Sequence, residues 1–270
     1  MMPEKLARLR DRAMRRLERR WLKSEVSSVE ETHPDDVFLA GFPKSGNTWL
    51  QHLTAALHAG CDLERTTDSV VQLVVPDMHA KRYYERWSTP MVFKTHHLPQ
   101  PRFRRVIFLI RDGRDALVSY YHYNRAVASP AVSLRDMVVE GKSLFPCRWH
   151  EHAAAWSANP YRAEMITVRY EALKTDAFVE LRRIADFLHK EVSDDVLRAI
   201  AASATFERMR AREDRQGWAD KHWPKDSKFV RRGMVGSFAD EMPSDLVKVF
   251  EADAGPMLVK YGYRLSASER

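Results

Sequence analysis

The chain is 270 residues long, 44% hydrophobic and 30% charged, with 44 basic residues against 37 acidic ones for a formal charge of +7. Length and composition fit one globular domain, or two small ones, and exclude wholesale disorder. The two cysteines, Cys61 and Cys147, stand far apart and offer neither a disulfide framework nor a zinc cluster, and no apolar run approaches the ~18 residues of a membrane span.

The basic excess suits a nucleic acid, a membrane surface or a small anionic ligand. It is unevenly spread: the first twenty-five residues hold nine basic and four acidic side chains. In that segment Leu6, Leu9, Ala13, Leu17 and Trp21 recur at helical spacing among arginines. Residues 1–30 are therefore expected to form a basic amphipathic helical arm. It lies either on a membrane surface or on the domain with its charges solvated. The segment lacks the apolar stretch of a secretory signal, and its acids disfavour a mitochondrial presequence. A cytoplasmic protein is expected, with peripheral membrane contact through the arm as the second reading.

From Asp36 the pattern changes. Val37 to Ala40 is a short apolar run ending in Gly-Phe-Pro, and Trp49, Leu50, Leu53 and Leu57 then follow a helical period. Met91 to Phe93 is a second strand, and Val106 to Ile110 a third, apolar enough to be buried on both faces. A helix is expected from near Asp115, a fourth strand at Met165 to Val168, and helices at Ala177 to Leu188 and Asp194 to Ala202. Residues 211–230 are polar without a clean period and read as a long loop. Alternating strands and helices predict an α/β fold with a central parallel β-sheet flanked by α-helices.

Four clusters carry chemistry. Gly41-Phe42-Pro43-Lys44-Ser45-Gly46-Asn47-Thr48-Trp49 lies between a strand and a helix. A loop there presents free N–H groups and the positive end of a helix dipole to an anion. Lys44 adds a charge, Gly46 permits close approach, and Ser45 and Thr48 add hydroxyls. The order differs from GxxxxGK[ST], because Lys44 precedes the second glycine. Arg111 then stands at the end of the third strand, where parallel sheets bind ligands, with Ser119 two helical turns on. The alternative for this pair is an arginine–carboxylate contact and a solvated serine. Arg231-Arg232-Gly233 at the end of the polar loop reads as an anion clamp or as a solvated turn. Lys94-Thr95-His96-His97-Leu98-Pro99 follows the second strand and offers a histidine as a general base, or merely a structural pair.

These motifs, in this order, resemble the cytosolic-type sulfotransferase family over residues 36–240. PKSGNTW is similar to its 5′-phosphosulfate loop, usually PKSGTTW. Arg111 to Ser119 resembles its 3′-phosphate motif, KTHHLP its KTHLP catalytic segment, and VRRGMVG its RKGxxG segment. VRYEAL around Tyr170 and ATFERM around Phe206 are similar to its adenine-side segments.

The resemblance implies a single P-loop-like catalytic domain over residues 31–265. It would transfer a sulfuryl group from 3′-phosphoadenosine 5′-phosphosulfate (PAPS) to a hydroxyl or amine, leaving 3′-phosphoadenosine 5′-phosphate (PAP). By the same resemblance His96 is the general base and Lys44 stabilises the leaving phosphate. Lys94 assists at the transferred group, and Ser119 holds Lys44 between turnovers and binds the 3′-phosphate. Ser45, Gly46, Asn47 and Thr48 surround the 5′ end of the donor. Arg111, Arg231, Arg232 and Gly233 complete the 3′-phosphate site, and Trp49, Tyr170, Thr205 and Phe206 surround the base. A sulfuryl group carries less charge than a phosphoryl, so lysine and imidazole can balance it and no metal is expected. The expected partner is a small-molecule, lipid-linked or glycosidic acceptor, and no nucleic acid.

The departures matter. The family has one histidine after Lys-Thr. His96 fits the count from Lys94 and is favoured, whereas His97 fits the count back from Leu98-Pro99. Gly236-Ser237-Phe238 replaces Gly-Asp-Trp, and the family's KxxxTVxxxE dimerisation motif is missing after Phe238, which leaves the oligomeric state open. His150-Glu151-His152 reads as structural, and Tyr120 to Tyr123 as core and acceptor-pocket wall. Tyr83, Tyr84, Trp87, Trp218 and Trp223 suit either an acceptor entrance or packing. The competing functions are an ATP-dependent kinase using the same loop with Mg²⁺, and a basic membrane- or nucleic-acid-binding module.

Overall fold

The computed structural model describes residues 26–128, 131–216, 223–224 and 232–266. Two apolar parallel strands fix its centre. β2 (Val37–Gly41) is buried throughout, and β5 (Arg105–Ile110) is buried beyond its first residue. With β4 (Val92–Thr95) and β6 (Glu164–Arg169) they form a four-stranded sheet in the order β4-β2-β5-β6, every neighbouring pair parallel. β1 (Val26–Ser28) and β3 (Tyr83–Glu85) make a separate antiparallel pair.

Successive residues of a strand point to opposite faces, and each face finds its own helices. Val37, Leu39, Val92, Ile107, Leu109 and Val168 face one core. There they meet α1 (Asn47–Ala59), α2 (Asp68–Val74), α6 (Ala177–Phe187) and α7 (Asp194–Ser203) through Leu50, Leu53, Val71, Leu181 and Leu197. Phe38, Ala40, Phe93, Phe108 and Ile110 face the other core. It is built by α3 (Gly113–Tyr123), α4 (Trp149–Ala158) and α10 (Ser244–Lys260) through Leu117, Trp149, Trp156, Phe250 and Leu258. Each fully buried large side chain contributes about 1.5–3 kcal/mol by leaving water. The remaining helices are α5 (Tyr170–Thr175), α8 (Phe206–Gln216) and α9 (Phe238–Glu241).

The α/β reading holds, with adjustments. The helix expected near Asp115 begins at Gly113, because the Asp112 side chain accepts the Arg114 N–H at 2.9 Å and caps it. Residues 211–216, expected to be loop, continue α8, where Arg212 reaches back to Asp68 at 2.7 Å. Val26–Ser28, expected to end the arm, pairs with β3 instead. Residues 1–25 of the arm lie outside the described residues, as do Trp218 and Arg231. The β1–β3 pair is tied to the main sheet by Asp36. Its carboxylate takes a two-pronged contact from Arg86 (2.9 and 2.7 Å) and the Met91 N–H at 2.8 Å. Tyr84 is core and Trp87 donates to the Val74 carbonyl at 3.0 Å, so both serve packing. Among the described residues no helix is long and apolar enough to cross a membrane.

Gly113 is where α3, α4 and α10 come closest. A Cβ there would lie 2.4 Å from the Trp149 ring and 2.7 Å from Phe250. Gly113→Ala is therefore expected to cost roughly 1–3 kcal/mol by overpacking. Denaturant unfolding checks it, and an unchanged midpoint would contradict this packing.

Candidate functional site

A cavity of about 1230 Å³ opens at the C-terminal ends of all four parallel strands. Residues just beyond each strand line it: Lys44 and Gly46 after β2, His96 after β4, Arg111 after β5 and Tyr170 after β6.

The loop after β2 is closed by its own residues. The Asn47 amide donates to the Phe42 carbonyl at 2.8 Å, and the Ser45 N–H reaches the same oxygen at 3.2 Å. Lys44 (φ 66°) and Gly46 (φ 98°) take left-handed backbone to complete the turn. A Cβ on Gly46 would stand 2.6 Å from the Tyr170 ring, so only glycine fits. Gly46 is also the N-cap of α1, with no side-chain cap and no acid in the first turn. A thirteen-residue helix thus points an uncapped N-terminus into a cavity beside Lys44. Asn47 and Thr48 lie on the wall, but the Asn47 amide nitrogen is committed to the loop. Ser45 is fully buried behind it, its hydroxyl without a partner, and does not line the cavity.

Trp49, Tyr170, Thr205 and Phe206 all line one cavity. The Trp49 indole donates to the Ala204 carbonyl at 2.7 Å and meets Tyr170 edge to face at 5.6 Å. Thr205 and Phe206 follow Ala204 onto the same wall. Gly233 packs on the Phe206 ring so closely that a Cβ would overlap it at 2.1 Å.

Arg111 lies over Tyr170 at 4.5 Å. It donates to the carbonyls of Lys44 (3.2 Å) and Met234 (3.1 Å) and stands 3.6 Å from Asp115, while its buried Nε has no partner. The Asp115 carboxylate accepts the N–H groups of Gly236 and Phe238, both at 2.8 Å, which pins the Gly-Ser-Phe segment to α3. Arg232 reaches the wall but donates to Glu241 at 3.2 Å, close to Asp240. Ser119 lines the cavity from α3, two turns beyond Asp112.

The opposite wall carries His96. Its Nδ1 lies 2.7 Å from the Gly41 carbonyl, an oxygen that can only accept, so Nδ1 bears the proton and Nε2 holds the lone pair. Burial, then the neighbouring Lys94 ammonium, hold this imidazole well below its ordinary pKa, only partly offset by Asp77. His97 does not line the cavity; its ring packs on His79 and Phe145. Lys94 is buried and paired with Asp77 at 2.6 Å. Tyr120, Tyr123 and Phe145 complete this end. Lys44 Nζ sits 4.9 Å over Tyr123, on which Trp223 stacks at 5.8 Å. Burial pushes the Tyr120 phenol up to about 12.

Sequence reasoning missed Asp77 and His79, which lie in a stretch without periodicity or motif and reach the wall only through pairing with β4.

Comparison with known proteins agrees with this arrangement. The family model described as Sulfotransferase domain matches residues 34–261. The chain is 27% identical over 241 residues to sulfotransferase 1C2 of Oryctolagus cuniculus, covering 77% of this chain and 78% of that one. It is 26% identical to flavonol 3-sulfotransferase of Flaveria bidentis, covering 83% of each. Among solved structures it resembles retinol dehydratase in complex with retinol and PAP (TM-score 0.67, 19% identity, 88% of this chain and 84% of that one). It also resembles a mouse sulfotransferase complexed with PAP (TM-score 0.62, 19% identity, 87% and 90%). With the family model spanning nearly the whole described chain, the protein belongs to the sulfotransferase domain family.

Proposed function

We propose that the chain transfers a sulfuryl group from PAPS to a hydroxyl or amine of a small-molecule acceptor by in-line displacement. The observation that carries this is the meeting, in one cavity, of an uncapped helix N-terminus beside Lys44 with the lone-pair nitrogen of His96. Relatives crystallised with PAP support the donor. Relatives whose names or complexes involve retinol, androsterone and a flavonol support a small-molecule acceptor.

The residues fit such a donor. Gly46 leaves the loop without a Cβ, the first turn of α1 has no side-chain cap and no acid, and Arg111 Nε is buried without a partner. The loop from Pro43 to Trp49 would hold the 5′-phosphosulfate through backbone N–H groups and Lys44. Arg111, Ser119, Arg232 and Gly233, with Arg231, would hold the 3′-phosphate. For this Arg232 leaves its contact with Glu241. Trp49, Tyr170, Thr205 and Phe206 would enclose the adenine.

When bound, PAPS supplies an activated sulfur whose bond to the phosphate oxygen breaks as the acceptor oxygen bonds to it. His96 Nε2 takes the acceptor proton, and the Gly41 carbonyl steadies the resulting imidazolium through Nδ1. Lys44 stabilises charge on the departing phosphate, and Lys94 holds positive charge near the transferred group. Tyr120, Tyr123 and Phe145 wall the acceptor.

Isothermal titration should show tight binding of PAP and none of ATP·Mg²⁺; tight ATP·Mg²⁺ binding without PAP binding would make the protein a kinase. His96→Ala should lose about 10²–10⁴-fold in turnover while keeping PAP affinity. Because the neutral imidazole is the working form and its pKa is depressed, kcat/KM should stay level as pH falls past ~6.5 and decline only below it. An acid limb at or above that value contradicts the burial of His96.

A further inference from the structure

Residues 76–80 run along the outer edge of β4. The Lys94 N–H donates to the Pro76 carbonyl at 2.9 Å, and the Met78 N–H donates to the Lys94 carbonyl at 3.0 Å. This brings two side chains against the base. One Asp77 oxygen takes the Lys94 ammonium at 2.6 Å, and the other accepts the His79 N–H at 2.9 Å. The Asp77 N–H in turn donates to the Gln72 side chain at 3.1 Å. His79 Nε2 accepts the backbone N–H of His96 at 2.8 Å, and the two rings stack at 5.1 Å with 20-odd degrees between planes (23°).

We propose that Asp77 and His79 are positioning residues that set the orientation and tautomer of His96. The inference rests on the reading of His96 as the base. His96 is held at three points: its backbone N–H by His79 Nε2, its Nδ1–H by the Gly41 carbonyl, and its ring face by the His79 ring. A ring flip would break the bond to Gly41 and exchange the lone pair for a proton at the nitrogen needed for catalysis. His79 can act as this acceptor only with its Nε2 lone pair intact. Asp77 does two things at once. It fixes the turn that carries His79, and it balances the Lys94 charge beside His96. Among the described residues, the charged and titratable groups facing His96 include Lys94 on β4, Asp77 and His79 on the flanking segment, and His152 of α4 against the His96 backbone. Without Asp77, a buried ammonium would stand uncompensated there, and His96 would be a weaker base.

The test needs no known acceptor. In full-length protein carrying ¹⁵N-histidine, two-bond ¹H–¹⁵N spectra report which nitrogen of His96 bears the proton, with the signal assigned by its loss in His96→Asn. At pH 7 the wild type should show the Nδ1–H form. His79→Phe keeps a stacked ring but removes the acceptor and should give mixed tautomers, whereas His79→Gln, which retains an accepting oxygen, should resemble wild type. With labelled PAPS and 4-nitrophenol, His79→Phe and Asp77→Asn should each lose about tenfold in kcat, with PAPS KM changed by less than about twofold, and Asp77→Glu should recover most of the loss. An Nε2–H form in the wild type, or a His79→Phe spectrum identical to wild type, overturns the proposal whether or not the variants turn over. Absent PAP binding would instead sink the sulfuryl-transfer reading and leave the tautomer result standing.

Discussion

Everything in this site depends on four strands running the same way. A parallel sheet cannot be closed by hairpins. Each strand must return to the starting end before the next begins, through helices in most cases and through the coil of residues 96–104 after β4, so the residues just past the strands collect on one edge. Burial of both faces makes the strands largely apolar, and polar chemistry gathers in the residues at and just past their ends. Lys44, His96, Arg111 and Tyr170 are those residues.

Gly41 ties two of these ends together. Its carbonyl receives His96 from the neighbouring strand at 2.7 Å, so the anion loop and the imidazole share one backbone unit. It cannot carry a side chain, because a Cβ would fall 2.3 Å from Asn47 and 2.9 Å from the Leu109 carbonyl. Asn47, which stands where the family usually has threonine, thereby acquires a structural reason. Its amide spans the loop to Phe42 and packs on Gly41. Asn47 braces the loop while the helix end stays without a side-chain cap.

The sequence revealed the chemistry along the strands and missed what arrives sideways. The apolar runs at Val37 and Val106, and the glycines between strand and helix, announce themselves because hydrophobic burial and backbone conformation leave marks in consecutive residues. The β1–β3 pair and α10 were harder to see. The first is three residues per strand, and the second contains Pro256 inside its span. Asp77 and His79 could not be read at all, since their position depends on bonds from residues 76–78 to β4. Their neighbour His96 could be read as a candidate base, with His97 beside it. Only the first reaches the cavity wall, while the second turns to Phe145. Ser45 shows the converse: residue type points to its hydroxyl, but burial of that hydroxyl behind the loop is visible only in the structure.

The Asp77–Lys94 pair also indicates how a buried ammonium is maintained beside an imidazole. Two charges removed from water are seldom stabilising by themselves, so such a pair persists where position matters more than energy. On the proposed reading this end of the cavity is a fixed electrostatic frame for the acceptor, with Tyr120, Tyr123 and Phe145 lining it. The most direct measurement is a transfer assay with isotopically labelled PAPS against a diverse panel of phenols, alcohols and amines, read by mass. The account predicts a labelled sulfuryl group on at least one acceptor, with PAP released in equal amount and no requirement for added Mg²⁺. Transfer of phosphate from ATP by the same preparation, with PAPS left intact, would contradict it.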